Sequence, residues 1–255
     1  MRTITTSENK SNLRLWAVGF WLIVWQAVGM AAGDNFLFAT PLDAAGALLR
    51  LVGQGDFWQT VLFSLCRIAA GFFLAAVLSI LLGVAAAKLR WVDELLSPLL
   101  AAVKATPVAS FIIVALIWVS SRNLSVLISF LMVFPVLYLC IRDAVRQLSG
   151  DLEEMARVFR VPLGKRIRYL YIPEILPRFR GAASAALGLC WKAGVAAEVI
   201  GIPDGSLGER LYEAKIYLDM PELFAWTAVI VAVSVVMERL VLFLLWLIEE
   251  RWGRL

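Results

Sequence analysis

The chain has no histidine in 255 residues. That removes Ser-His and Cys-His nucleophile pairs, imidazole-ligated metals and the commonest general base in a single step. Cysteine is scarce, and Cys66, Cys140 and Cys190 all lie inside apolar segments. That placement argues against a disulfide framework or a zinc cluster and leaves packing as their role. Only 17% of the residues are charged, against about a quarter in soluble domains. No G-x-x-x-x-G-K-[ST] occurs; the one Gly-Lys pair, Gly164-Lys165, is followed by Arg166 and lacks the upstream glycine. Phosphate-loop ATP hydrolysis is therefore excluded for this chain. Internal repeats, low-complexity tracts and long linkers are absent too, and a single membrane domain is the simplest expectation.

What is present is apolar. Hydrophobic residues make up 61% of the chain and the mean hydropathy is +0.81, beyond what a soluble core needs. Residues 15–32, 68–87, 105–121 and 123–141 carry no charge; 181–200 and 223–248 are less clean. A span needs about 17–25 such residues, so an all-α polytopic membrane protein with about six transmembrane helices is expected. The first run ends at Ala31-Ala32-Gly33-Asp34 without a small-x-small cleavage site and reads as a retained helix. Pro41 to Val52 reads as an interfacial helix, and Asp204 to Asp219 as a polar, partly helical loop.

Basic residues fix the expected threading. With the N-terminus cytoplasmic, the inner segments hold Arg2, Lys10 and Arg14, then Lys88 and Arg90, then nine Arg or Lys residues from Arg142 to Arg180, then Arg251 and Arg254. The outer segments hold only Arg50, Arg122, Arg210 and Lys215. Both termini are expected in the cytoplasm.

The basic insert Asp151 to Pro177 (DLEEMARVFRVPLGKRIRYLYIPEILP) has internal order. Leu152, Met155, Ala156 and Phe159 fall on one helical face, and Glu153, Arg157 and Arg160 on another. Asp151 with Glu154 resembles a capping box, and Glu153 precedes Arg157 in the favourable i,i+4 order. Val161-Pro162-Leu163-Gly164 then stops the helix. A second short helix follows, with Ile167, Leu170 and Tyr171 on one side, and Pro173 and Pro177 are expected to end it. A loop that only meets anionic headgroups needs no such punctuation, so a docking partner is expected.

Charges at membrane depth are costly and mark functional hypotheses. Lys104, just before Thr106-Pro107, is expected to snorkel to headgroups, and Glu238-Arg239 to mark where the last helix leaves the membrane. Lys192 and Glu198 are six apart and point about 240° from one another, so each needs its own partner. An interhelical Arg67–Glu198 ion pair would leave Lys192 facing a polar cavity or an anionic solute. At this level, a structural and a translocation role for Arg67, Lys192 and Glu198 stand equally open. Trp191 is expected to pack, Pro135 to kink the fourth span, and Gly71, Gly83, Gly181, Gly188 and Gly194 to permit close helix contacts.

Glu154-Met155-Ala156, three residues, Arg160, nine residues, then Leu170-x-Ile172-Pro173 resembles the EAA loop of permease subunits of type I ABC importers. That pattern reads E-A-A, three residues, G, nine residues, I-x-L-P; here Arg160 replaces the glycine. FWQTVLFSLCRIAAGFFLAAVLSILLGVAAA is similar to the family's second span, and LCWKAGVAAEVIG to the fifth span of its nitrate, sulfonate and taurine branch. The resemblance covers the chain from about Asp56 onward, as a permease core 56–255 with the loop at 149–180, after a tail, first helix and interfacial segment in 1–55. It implies that Glu153, Glu154, Met155, Ala156, Arg157, Phe159, Arg160, Pro162 and Gly164 couple the chain to a separate ATPase present in two copies. It also implies a homodimer in a prokaryotic plasma membrane, an extracytoplasmic solute-binding protein, ATP and Mg held only by the ATPase, and a small anionic solute; nucleic acid has no part. A secondary transporter is the alternative, but it would need coupling carboxylates and often shows repeats, and only Glu198 and Glu238 are available. An intramembrane enzyme lacks both a nucleophile–base pair and a metal cluster.

Overall fold

A computed structural model describes residues 15–31, 38–148 and 150–253, with the side chains of 15, 150–153, 252 and 253 outside the description. Among the described residues the structure is helical, without strands. In chain order the helices are α1 (Leu15–Ala31), α2 (Pro41–Val52), α3 (Gly55–Lys88), α4 (Arg90–Ala105), α5 (Val108–Ala115), α6 (Ser121–Arg146), α7 (Gly150–Val158), α8 (Leu163–Arg166), α9 (Ile172–Gly201), α10 (Leu207–Ile216) and α11 (Met220–Gly253), with a π-helical turn at Ile167–Tyr171 joining α8 to α9.

Four rods are long and apolar enough to cross a membrane: α3, α6, the 39-residue run Leu163–Gly201, and α11. The expected third span is broken. α4 and α5 meet at 105°, because Pro107 offers no N–H and holds Thr106 extended at ψ 131. α5 has eight residues, about 12 Å at 1.5 Å each. The bent pair is a fifth candidate span, and α1, at 17 residues, is a shorter apolar helix. The expected count of six thus becomes four continuous rods, one bent pair and one short helix.

Close packing of α3, α6 and α9 builds the core. A Cβ on Gly71 would lie 2.5 Å from the Val126 carbonyl, and one on Gly194 would lie 2.6 Å from Ser129 Oγ; bare backbone here lets helices approach without lipid between them. Gly83 does the same against Ile141, whereas Gly181 and Gly188 face open space, contrary to expectation. Small hydroxyls bridge the seams: Ser79 donates to the Phe134 carbonyl at 3.1 Å, and Ser129 to the Cys190 carbonyl at 3.3 Å. Trp191 is buried, as its packing role requires. α6 runs on through Pro135.

α2 forms where expected. Pro41 occupies its first turn, and Thr40 and Asp43 make a reciprocal capping box. Hydrogen bonds from Thr40 hold the Asp43 carboxyl below the ordinary carboxylate range. α10 lies within the expected polar loop, capped by Ser206, which accepts the Glu209 N–H at 3.0 Å. α11 runs unbroken past Glu238-Arg239 to Gly253, and Ser184 donates to Glu238 Oε1 at 2.7 Å across the α9–α11 seam.

Candidate functional site

α7 ends in a Schellman motif. Val161 N–H reaches back to the Ala156 carbonyl at 2.9 Å, and Arg160 N–H to the Arg157 carbonyl at 3.0 Å. Those two bonds require a left-handed residue between them, and Arg160 supplies it with φ +48°. Pro162 follows and opens α8 with an extended backbone. The Ala156 carbonyl takes a further bond from Arg166 Nη2 at 3.0 Å, so α8 grips the end of α7.

The C-terminal turn of α7 is closed, but its side chains are not spent. Among the described residues of the expected apolar face Ala156 is buried and Met155 and Phe159 are exposed, the last at 74%; Val158 is exposed too. Glu154, Arg157 and Arg160 are exposed as well, as are Pro162 and Gly164. Asp151, Leu152 and Glu153, with the expected capping box and the Glu153–Arg157 pair, lie outside the described side chains; α7 itself starts at Gly150, two residues earlier than a cap at Asp151 implies. The expected proline exit is overturned, since the helix passes both Pro173 and Pro177 and ends only at Gly201. Pro173 sits in the first turn of α9 immediately after the π-turn, where a widened ladder absorbs its missing donor.

At the far end of the same rod, Glu198 is fully buried. Ser64 Oγ on α3 donates to Glu198 Oε2 at 2.7 Å, Gly208 N–H points at the same oxygen at 3.4 Å, and Leu207 N–H donates to Ser64 Oγ at 2.9 Å. One carboxylate therefore joins α9, α3 and the start of α10. Glu198 Oε1 and the neighbouring Ser125 Oγ carry no partner among the described residues. A Cβ on Gly208 would fall 2.4 Å from the Glu198 backbone, so only glycine lets α10 lie this close.

The expected Arg67–Glu198 ion pair does not form. Arg67 Nη2 donates to Asn123 Oδ1 at 2.9 Å, and its guanidinium lies 4.5 Å from the Phe63 ring centre. Arg67 lies one turn beyond Ser64 on α3, and the hydroxyl takes the carboxylate in its place. Lys192, as expected from its angular offset, points away from Glu198 and is exposed. Leu189, one turn before Lys192, lines a cavity of about 510 Å³ at the α4–α5 break together with Lys104, Thr106, Met132 and Pro135. Lys104 also lines an adjoining cavity of about 410 Å³ with Ser97, Leu139 and Arg142. Lys104 is exposed at both cavities.

Sequence reasoning missed a node at the start of α4. Asp93 accepts from Tyr138 Oη at 2.9 Å, Arg142 Nη1 at 2.9 Å and Arg146 Nη2 at 3.0 Å. Two arginines counted only toward the threading, Arg142 and Arg146, thereby tie α4 onto α6. The signal was an acid in the first turn of α4 and two arginines at the end of α6, and hydropathy does not register their pairing. Among the described residues no group of His, Cys, Asp or Glu is placed to hold a metal.

Relatives carry names that bear on this architecture. The chain is 28% identical over 201 residues to the bicarbonate transport system permease protein CmpB of Synechococcus elongatus, covering 78% of this chain and 70% of that one. It is 28% identical over 215 residues to the riboflavin transport system permease protein RibX of Chloroflexus aurantiacus, covering 84% and 80%. It is 25% identical over 207 residues to the putative aliphatic sulfonates transport permease protein SsuC of Bacillus subtilis, covering 80% and 74%. A family model matches residues 79–253, from the middle of α3 through the end of α11, and the chain accordingly belongs to the binding-protein-dependent transport system inner membrane component family.

Proposed function

We propose that this chain is the pathway-forming subunit of an ATP-driven importer, working as one of two identical copies with the route between them. α7 and the turn at Arg160 dock into a separate ATPase, two copies of which lie on the cytoplasmic side with both termini of this chain. A binding protein delivers solute from the opposite side. ATP and Mg belong to the ATPase; this chain contributes no covalent chemistry. ATP binding draws the motors together and carries the two α7 helices inward, opening the route outward; hydrolysis resets it. Arg166 and the rod beginning at Leu163 give that movement a stiff path to the far end of α9.

The observation that carries this reading is α7 itself: a helix whose C-terminal turn is closed by backbone bonds while Met155, Val158 and Phe159 stay exposed. The solute is a small anion. Bicarbonate and sulfonates, named for two of the relatives, are anionic, and Lys104 and Lys192 have no carboxylate partner among the described residues. The test is reconstitution with the ATPase and binding protein encoded beside this chain. ATPase stimulation by bicarbonate or an alkyl sulfonate, but not by riboflavin, supports the anion assignment; failure of this chain to co-purify with the ATPase defeats the coupling assignment.

A further inference from the structure

A third cavity lies apart from the cavities lined by Lys104. It measures about 550 Å³ and is walled by α3, the 163–179 stretch and the end of α11, with Val84, Ile175, Phe179 and Ile248 among its lining residues. Two cations, Lys88 and Arg166, complete the lining, and no carboxylate does. Lys88 is the last residue of α3 and its ammonium lies 5.7 Å from the Tyr171 ring centre. The site is thus amphiphilic: a deep aliphatic cleft among transmembrane rods, with positive charge where those rods end.

Arg166 supplies the second observation. One of its Nη atoms holds the Ala156 carbonyl, while its Nε is shut off from water with no acceptor among the described residues. As a lining residue Arg166 brings a second positive charge to the apolar cleft, and an anionic oxygen is the partner that such a charge favours. Ile80 and Ile248, in the same wall, are each more than 40% exposed. A soluble anion would satisfy the cations and leave the cleft bare, and an uncharged alkyl chain would do the reverse.

We propose that this cleft binds an anionic phospholipid, one acyl chain lying along Val84, Ile175 and Phe179 and the phosphate held between Lys88 and Arg166. The site rests on the membrane reading of α3, α9 and α11; it depends on neither the solute nor the ATPase. Basic pockets between transmembrane helices suit such headgroups, because charge and apolar burial are both met by one molecule. Since Arg166 also secures the end of α7, an occupied cleft steadies the Schellman turn.

The test is thermal unfolding of the full-length chain in nanodiscs of phosphatidylcholine alone or with added phosphatidylglycerol, beside detergent samples with and without inorganic phosphate. Phosphatidylglycerol should raise the midpoint by about 2–4 °C, inorganic phosphate should not, and Lys88→Gln and Arg166→Gln should each lose most of the gain. If Arg166→Gln does not fold, Lys88→Gln, which loses only a ring contact, decides. Equal gains in wild type and Lys88→Gln would reduce the effect to general surface charge and overturn the site. An equal gain from inorganic phosphate would overturn the lipid. A photoreactive residue at Ile175 should capture phospholipid; capture of a second copy of the chain instead would assign the cleft to a subunit interface. Because no transport is measured, failure here leaves the importer reading standing, and failure of that reading leaves this site standing.

Discussion

The rod from Leu163 to Gly201 carries a charged feature near each end, and the two are built in opposite ways. Near Gly201, Glu198 is fully buried and its partners Ser64 and Gly208 come from other helices of the same chain. At the other end, α7 has closed its C-terminal turn, but Glu154, Met155 and Phe159 are exposed. A polar group satisfied internally fixes how helices lie relative to one another. An element with a closed C-terminal turn and unspent side chains is shaped to meet another surface. Charge alone does not separate the two, since both features are acidic and both attach to the same rod.

The largest expected effect breaks the open end. Glu154→Arg or Phe159→Asp should cut ATP-driven uptake by at least about 30-fold, the size of an interface hot spot of 2 kcal/mol or more. Neither should move the unfolding midpoint of the chain alone. Uptake at the wild-type level from either variant would remove α7 from the coupling role. The next effect belongs to the closed end. Gly208→Ala places a methyl 2.4 Å from the Glu198 backbone, so α10 must lift and release both N–H bonds that it makes to Ser64 and Glu198. A loss of about 3 kcal/mol is expected, read as a lowered unfolding midpoint. An unchanged midpoint would mean that α10 does not lie this close.

A smaller effect separates a clasp from an ion pair. Were Arg67 and Glu198 paired, removing one would cost about 3–5 kcal/mol and removing both would recover part of it. With Arg67 on Asn123 and Glu198 on Ser64, the two substitutions Arg67→Gln and Glu198→Gln should add, with a coupling below about 0.5 kcal/mol. Ser64→Ala, in contrast, should couple strongly to Glu198→Leu. The measurement is a pair of double-mutant cycles on thermal stability; strong rescue in the Arg67 cycle would restore the ion pair.

These outcomes mirror what the residues themselves disclosed. Apolar runs made the membrane class plain, because hydropathy adds along the chain, and the stop before Pro162 was local enough to read directly, although the left-handed turn falls at Arg160 and Gly164 lies inside α8. Direction was not legible. Residues 105–121 carry no charge, yet the chain turns by 105° at Thr106-Pro107, and hydropathy has no term for angle. Pro173 and Pro177 looked like a stop, but membrane helices tolerate proline where neighbouring turns take up the freed groups. The Arg67–Glu198 pairing failed for a different reason. Ser64 and Glu198 are 134 residues apart, and choosing a hydroxyl one turn from an arginine requires knowing which face of α3 meets α9.

The smallest effect tests the finest detail of the open end. At Arg160 the backbone is left-handed at φ +48°, a conformation that costs a side-chain-bearing residue about 1–2 kcal/mol. Glycine is free of that cost but loses about 0.5–1 kcal/mol through its greater freedom in the unfolded chain. The difference favours Arg160→Gly by about 1 kcal/mol or less, and Arg160 makes no side-chain bond among the described residues that would oppose it. Arg160→Val should go the other way by more than 1 kcal/mol, since a branched Cβ makes the left-handed region an outlier. The turn is short and local, so global unfolding is too blunt a probe for it. Amide exchange at Val161, whose N–H closes the motif on Ala156, reports it directly: protection should rise for glycine and fall for valine. Equal protection in both would mean that α7 ends without the left-handed residue, and the open end would lose the rigidity that makes it a lever.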